Sequence, residues 1–372
     1  MSRRRTGLLK GALSALHFTG TDRLLAPLTR GVGVIFMLHS VRPAREDGFA
    51  PNRILEVTPE FLEEVIELVV DNGFDVLSLD DVHARLREGE FDRPFAAFTF
   101  DDGYRDNRDF AYPIFKRHNL PFAVYVPSDF ADGRGDLWWI KLEMAIAARD
   151  VIQARVDGVA ERFETATRDQ KEQVFKRIYW WLRSIPEFET RRFVTELCET
   201  HGIDTSTLCR DLIMGWDELR TFARDPLVTI GAHTRRHLAL AKLSLSEARL
   251  EIEESIRRLE RELGRPMRHF SFPYGDETSA GSREFELARE LGLQTAVTTR
   301  KGLIHERHAD LTTSLPRLSL NGDFQSTRYI KVMLSGAPFA FWDMARHLRT
   351  ENIAARSGGQ LRALLSVRTS TG

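Results

Sequence analysis

Seven short apolar runs, each ending in polar or turn-forming residues, limit what this chain can fold into more than any other feature. Residues 32–38 (VGVIFML) are apolar without a break, the mark of a strand buried on both faces. Residues 74–79, 95–100, 121–126, 227–230, 269–272 and 293–298 read as further strands. Helical patterns fall between them. One opens with Thr58 as N-cap, Pro59 in the first position and Glu60, Glu63 and Glu64 in the first turns, and Gly73 closes it. Another lines up Leu245, Ala248, Ile252, Ile256, Leu259 and Leu263 on one face and stops at Gly264 and Pro266. A third covers 283–291. Strands alternating with helices predict an α/β fold around a parallel sheet, open or closed. Seven strands in one large unit favour the closed form, a (β/α) barrel over residues 32–325.

One stretch departs from this rhythm. Between about 131 and 215 no strand pattern is evident, and Trp138, Trp139, Tyr179, Trp180 and Trp181 concentrate there among charged residues. The stretch is read as a helical insertion following a barrel strand. It either caps the barrel mouth or packs its tryptophans into a core of its own. Residues 1–31 form a basic segment in which Arg3, Arg4 and Arg5 precede Leu8, Leu9, Ala12, Leu13, Ala15 and Leu16. Lys10 and His17 interrupt the apolar run and no small-residue cleavage pattern follows, so a signal peptide is not expected. Residues 7–29 are read as a short amphipathic helix, with peripheral membrane contact or simple docking as alternatives. No run of eighteen apolar residues exists to span a bilayer, and a cytoplasmic, membrane-associated or free, protein is the expectation. Residues 326–372 are read as a helical tail with a frayed end carrying Arg346, Arg349, Arg356 and Arg362 around Gly358-Gly359.

Composition narrows the partners. The 53 Lys and Arg residues against 54 Asp and Glu argue against a nucleic-acid binder. Cys198 and Cys209 are too few and too far apart for a disulfide scaffold or a C-x-x-C site, and are read as buried structural thiols.

The chemistry-bearing residues cluster at strand ends. Thr99-Phe100-Asp101-Asp102-Gly103-Tyr104 runs an apolar strand into two adjacent carboxylates, whose side chains point in different directions and can serve different partners. Gly231-Ala232-His233-Thr234-Arg235-Arg236-His237 follows another strand, and histidines four apart share one face of a helical turn. Two imidazoles and one carboxylate make a catalytic zinc set, and iron or cobalt suits the same donors. Phe270-Ser271-Phe272-Pro273-Tyr274-Gly275 and Leu38-His39 end two further strands. Four such ends converge on one barrel mouth.

Together these motifs resemble the polysaccharide deacetylase family, carbohydrate esterase family four, which includes nodulation-type chitooligosaccharide deacetylases. The resemblance covers roughly residues 32–130 and 216–320. It implies a distorted (β/α) barrel and a metal-dependent hydrolase that removes N-acetyl groups from an amino-sugar polysaccharide, oligosaccharide or glycolipid. By that resemblance Asp101 is the catalytic base, Asp102, His233 and His237 are the metal ligands, and Pro273 lines the groove. The ion is Zn2+ first, with Co2+ or another divalent ion as alternatives. The backbone N–H of Tyr274 helps hold the oxyanion. Tyr104, Trp138 and Trp139 are candidates for stacking on sugar rings, or are core.

Two departures stand out. The family's third motif carries an arginine two residues before the proline, where this chain has Ser271; Arg317, in Leu315-Pro316-Arg317-Leu318, is the candidate replacement. Neither an Asp-x-x-Asp-Trp nor a C-terminal Leu-x-His match is found, and His39 is taken as the proton donor in their place. A C–N hydrolase of a small non-sugar amide and a non-catalytic glycan-binding relative are the alternative functions.

Overall fold

The computed structural model describes residues 3–45, 48–342 and 344. They fall into two units, one formed by the described residues up to Arg30 and from Arg328 onward, the other by those of Gly31–Thr327.

In the first unit the single helix expected over 7–29 is two helices, α1 (Arg3–Phe18) and α2 (Thr21–Thr29). The break falls at Gly20, whose φ of 71° is a left-handed conformation open to glycine. The Thr19 hydroxyl donates to the Ala15 carbonyl and ends α1. The Thr29 hydroxyl donates to the Ser335 carbonyl at 2.6 Å, joining the N-terminal helices to the end of the helix Thr327–Leu334. The tail residues Arg346, Arg349, Arg356, Gly358, Gly359 and Arg362 lie outside the described residues.

The second unit is built on eight parallel strands, β1 (Gly33–Leu38), β2 (Asp75–Val76), β3 (Phe95–Phe100), β4 (Phe122–Val126), β5 (Val228–Ala232), β6 (His269–Ser271), β7 (Thr295–Lys301) and β8 (Leu315–Ser319). Seven of them close a barrel in the order β1-β8-β7-β6-β5-β4-β3, and β3 pairs back onto β1 from Gly33↔Phe95 to Leu38↔Phe100. The short β2 flanks only the start of β3, through Asp75↔Phe95, and β4 takes over at Thr99↔Ala123. That handover is the local distortion of the ring. Every residue of β1, β3 and β4 is buried, which is why these strands read as unbroken apolar runs.

Three sequence expectations need correction. The strand over 74–79 is cut to two residues because Ser78 becomes an N-cap, its hydroxyl accepting from the Asp81 N–H, and helix begins at Leu79. Strand β8 is an addition to the seven expected strands, and it lacks their apolar signature because Pro316 and Arg317 interrupt the pattern. The insertion does contain strands: Val151–Val156 and Val159–Glu164 form an antiparallel hairpin. Its turn is Asp157-Gly158, at φ of 54° and 80°, a two-residue hairpin signature present in the sequence.

The helix α3 (Pro59–Asp71) is capped by Thr58 as expected. The insertion's helices are α4 (Trp138–Ala147), α5 (Arg168–Ser184) and α6 (Glu187–Thr200), and later α7 (Leu245–Leu263) packs outside the barrel. The insertion has an apolar core of its own, including Trp138, Leu142, Ile146, Ile178, Leu182, Val194 and Cys198. Both cysteines are buried free thiols, their pKa values pushed up to about 11 by burial.

Barrel closure leaves little room beside β5. A Cβ built on Gly231 would lie 2.5 Å from the Tyr125 ring and 2.9 Å from the His269 carbonyl oxygen. Gly231→Ala is therefore expected to lower unfolding stability by about 1–3 kcal/mol through overpacking. A denaturant midpoint equal to wild type would show that the ring can part at this point.

Candidate metal centre

The C-terminal ends of the barrel strands bring the chemistry-bearing side chains to one rim. At the end of β3 the Asp101 N–H donates to the Leu38 carbonyl, extending the β1–β3 ladder by one residue. Asp102 then turns to φ 73°, a left-handed conformation unusual for a residue with a Cβ, and the two carboxylates part company.

Asp101 faces the barrel interior and meets Arg317 from β8. Arg317 Nη1 and Nη2 donate to the two carboxylate oxygens at 2.9 and 2.7 Å, and both residues are buried. The remaining donors of the guanidinium reach the Thr298 carbonyl, the Thr99 hydroxyl and the Ser271 hydroxyl. Burial alone would raise the Asp101 pKa. Arg317, with His233 and His39 nearby, outweighs it and holds the carboxyl well below the ordinary range. Ser271, standing where the resembled motif has its arginine, accepts from the arginine that fills that space.

Asp102 faces the other way, towards His233 and His237. Its Oδ1 lies 3.2 Å from His237 Nε2 and 3.6 Å from His233 Nε2. The ligand atoms of the three residues lie within 4.8 Å of one another, all buried. His233 Nδ1 donates to the Ser271 carbonyl at 2.6 Å, which fixes the tautomer and leaves Nε2 as a lone-pair donor. Burial, the largest influence on both rings, drives His233 to about 4 and His237 to about 3, so both are neutral. Asp102 Oδ1 is buried without a hydrogen-bond partner. Two neutral imidazoles and an orphaned carboxylate oxygen are a donor set that fits a divalent cation.

The two histidines do not meet on a helical turn, as their spacing suggested. Residues 233–239 are a loop in which Thr234 and His237 take φ of 59° and 58°. The His237 N–H donates to the Thr234 hydroxyl, and Glu251 on α7 accepts from the Arg236 N–H and holds the loop from outside.

Tyr274, at φ 60°, sets its ring 4.9 Å from that of His237. His39 follows β1 with Nε2 3.9 Å from Asp101 Oδ2. Burial lowers its pKa against the opposing pull of the two aspartates. Pro273 is buried beside Tyr274.

The family description "Polysaccharide deacetylase" matches residues 88–296. The chain belongs to the polysaccharide deacetylase family. No curated protein sequence matches significantly. Among solved structures, the Streptococcus pyogenes deacetylase PplD in complex with acetate is similar at a TM-score of 0.52 and 15% identity, over 81% of this chain and 97% of that one. The de-N-acetylase from Aggregatibacter actinomycetemcomitans is similar at 0.51 and 14%, over 81% and 99%. IcaB from Ammonifex degensii gives 0.50 and 15%, over 82% and 97%. At these identities the likeness concerns the fold.

In this deacetylase-family chain the insertion is built into the rim. The tryptophans singled out as sugar-stacking candidates are buried, at 1% exposure for Trp138 and 4% for Trp139. Trp138 Nε1 donates to the Tyr274 hydroxyl at 2.7 Å and Trp139 Nε1 to the Tyr104 hydroxyl at 3.3 Å. Tyr104 is buried as well, so none of the three offers a free ring face. They belong to the core of the insertion, and Trp139 also borders the cluster, its ring 5.2 Å from that of His237.

Four supporting residues escaped sequence reasoning. From α5, the Arg183 guanidinium lies 3.8 Å over the Tyr274 ring and donates to Asp276. From α6, Arg191 donates to the His237 carbonyl at 3.1 Å and to Glu187. After β3, Asn107 donates to the His39 carbonyl, while Asp106 accepts from the Ser40 hydroxyl and the Val41 N–H. Asp106 and Asn107 sit beside the Asp-Asp-Gly motif, and that proximity was the one available signal.

Arg317→Met would strand the Asp101 carboxylate in the barrel. It is expected to lower unfolding stability by about 3–5 kcal/mol, with Asp101→Asn in the same background recovering part of the loss. Urea denaturation of wild type, both single variants and the double variant reads the coupling. Additive losses would mean that the pair is not coupled.

Proposed function

We propose that this polysaccharide deacetylase is a metal-dependent hydrolase that removes N-acetyl groups from an amino-sugar polysaccharide, oligosaccharide or glycolipid. One observation carries the proposal: the Asp102–His233–His237 cluster lies beside a second carboxylate, Asp101, that is committed to Arg317 rather than to the cluster. Asp102, His233 and His237 would hold a divalent ion, Zn2+ first, with Co2+ or another ion able to replace it. When bound, such an ion supplies Lewis acidity, polarising the acetamide carbonyl and acidifying water.

The chain's own residues do the rest. Asp101 is kept ionised and in one orientation by its two-pronged bond to Arg317, so it is ready to take a proton from the attacking water. Arg317 acts through Asp101 as a positioning residue. His39, with Nε2 3.9 Å from Asp101 Oδ2, is placed to receive the proton that Asp101 takes from the water and, as imidazolium, to pass it to the departing amine. The Tyr274 backbone N–H is the proposed oxyanion donor, a contribution of about 2.7–4 kcal/mol for a preorganised group. Pro273, Tyr104, Trp138 and Trp139 back the site, supporting Tyr274 and His237 from behind.

The burial of the cluster, with His233 at 1%, Asp102 at 2% and His237 at 5% exposure, favours one alternative, a small non-sugar amide as substrate. A non-catalytic glycan-binding role is disfavoured by the complete set of Asp101, Asp102, His233 and His237. Acetate release from chitooligosaccharides, peptidoglycan fragments and small N-acetyl amides, with and without a chelator, separates these readings. Chelator-insensitive release, or none from any glycan, would overturn the proposal.

Variants test the division of roles. Asp101→Asn is expected to slow turnover by about 10²–10⁴ while retaining the wild-type metal content. His233→Ala and Asp102→Ala should lose metal and activity together. Stoichiometric metal in either alanine variant, measured by elemental analysis, would refute the ligand set.

A further inference from the structure

The first unit carries a surface that deacetylation does not use. Residues 1–30 contain six Lys and Arg against one acidic residue, and residues 328–372 contain seven against two. Residues 31–327 are left with 40 against 51. A chain that is nearly neutral overall is thus divided into a strongly basic part and a strongly acidic one.

Apolar side chains are exposed in the same basic unit. On α1, Leu8 is 75% and Phe18 74% exposed, while Leu13 is turned inward at 8%. Ala12 and Ala15, also exposed, continue the stripe between them at helical spacing. On α2, Leu24 and Leu28 are 78% and 85% exposed with Pro27 between them. Phe341, Trp342 and Met344 are exposed as well. An apolar helix stripe normally turns towards a core. Here two consecutive helices turn theirs towards solvent.

We propose that this unit is a peripheral membrane anchor, with α1 and α2 lying in the interface of an anionic bilayer. Leu8, Phe18, Leu24 and Leu28 would enter the headgroup–acyl boundary while the surplus of Lys and Arg meets lipid phosphates. Among the described residues no helix is long and apolar enough to cross a membrane, so the anchor lies on the bilayer. Charge and apolarity together select this occupant. A nucleic acid would satisfy the arginines and leave the leucines in water. A second copy docked through the same helices would cover the leucines by bringing two strongly basic units together, and a head-to-tail copy would offer the leucines an acidic surface in place of an apolar one. The inference stands apart from the proposed chemistry, since it uses none of the rim residues.

Co-sedimentation of the full chain with vesicles tests it. Binding is expected to phosphatidylcholine–phosphatidylglycerol vesicles at low salt, much weaker to phosphatidylcholine alone, and lost at an ionic strength of about 1 M, where the screening length is about 3 Å. The triple variant Leu8→Ser, Leu24→Ser, Leu28→Ser should partition more than about tenfold less, given the apolar surface removed. Its unfolding midpoint and its acetate release from soluble substrate should stay at wild type. A second variant, Arg3→Gln, Arg4→Gln, Arg5→Gln, should keep the fold and flatten the salt dependence. Wild-type protein that stays in the supernatant with anionic vesicles at low salt would sink the idea. So would equal partitioning of the leucine variant, a lipid-free dimer abolished by that variant in ultracentrifugation, or displacement from vesicles by duplex DNA.

Discussion

The buried Arg317–Asp101 pair is the interaction on which the rest of the rim depends. A guanidinium placed inside a barrel of phenylalanines and valines loses several kcal/mol of hydration, and only complete pairing offsets this. Arg317 achieves it by donating to groups on or beside three other strands: Thr99 and Asp101 at β3, Ser271 at β6 and Thr298 at β7. One side chain therefore both staples the ring and dictates that Asp101 stays charged and immobile. With Asp101 turned inward, Asp102 must turn outward, and the two adjacent acids acquire separate surroundings and separate chemistry.

That outward turn has a backbone consequence. Asp102, Thr234, His237 and Tyr274 all occupy left-handed φ, where side chains cost of order 1–3 kcal/mol each unless the surroundings compel them. The compulsion is visible. Arg191 grips the His237 carbonyl, the Thr234 hydroxyl accepts from the His237 N–H, Glu251 holds the Arg236 N–H, and Arg183 covers the Tyr274 ring. Two of these four clamps come from the insertion. The insertion is thereby more than a cover, because its arginines help keep one cluster residue and the neighbouring tyrosine in conformations they would not choose.

What the sequence disclosed follows from how each element meets its environment. Strands buried on both faces are legible because burial admits only apolar residues, so β1, β3 and β4 stand out. β8 is not, because its central residue is the arginine that the barrel neutralises; the feature that makes it functional is the one that hides it. The Asp157-Gly158 hairpin was readable and was masked by the charged residues of an exposed ribbon. The cluster of Asp102, His233 and His237 could be anticipated from residue type and strand-end position, but not the loop geometry that joins the histidines, since left-handed residues without glycine leave no local signal. Arg183 and Arg191 act across 91 and 46 positions of chain, on Tyr274 and His237, and distances of that kind lie beyond any periodicity.

Access to the rim is uneven, and this bears on how a substrate would lie. The side chains of Asp101, Asp102, His233 and His237 are 2–7% exposed, whereas His39 is 19% exposed. Trp138 and Trp139 close the side of the insertion with their indole N–H groups already committed to Tyr274 and Tyr104. Of these side chains His39, at the β1 edge, is the least covered. Under the proposed chemistry an acetamide entering from that edge places its methyl and carbonyl deepest, against the cluster, and its nitrogen last. The nitrogen then lies nearest the imidazole suited to protonate it, and the sugar it belongs to remains outside. Such an arrangement asks the protein to enclose only the acetyl group, which reconciles a nearly buried cluster with a substrate far larger than the space around it.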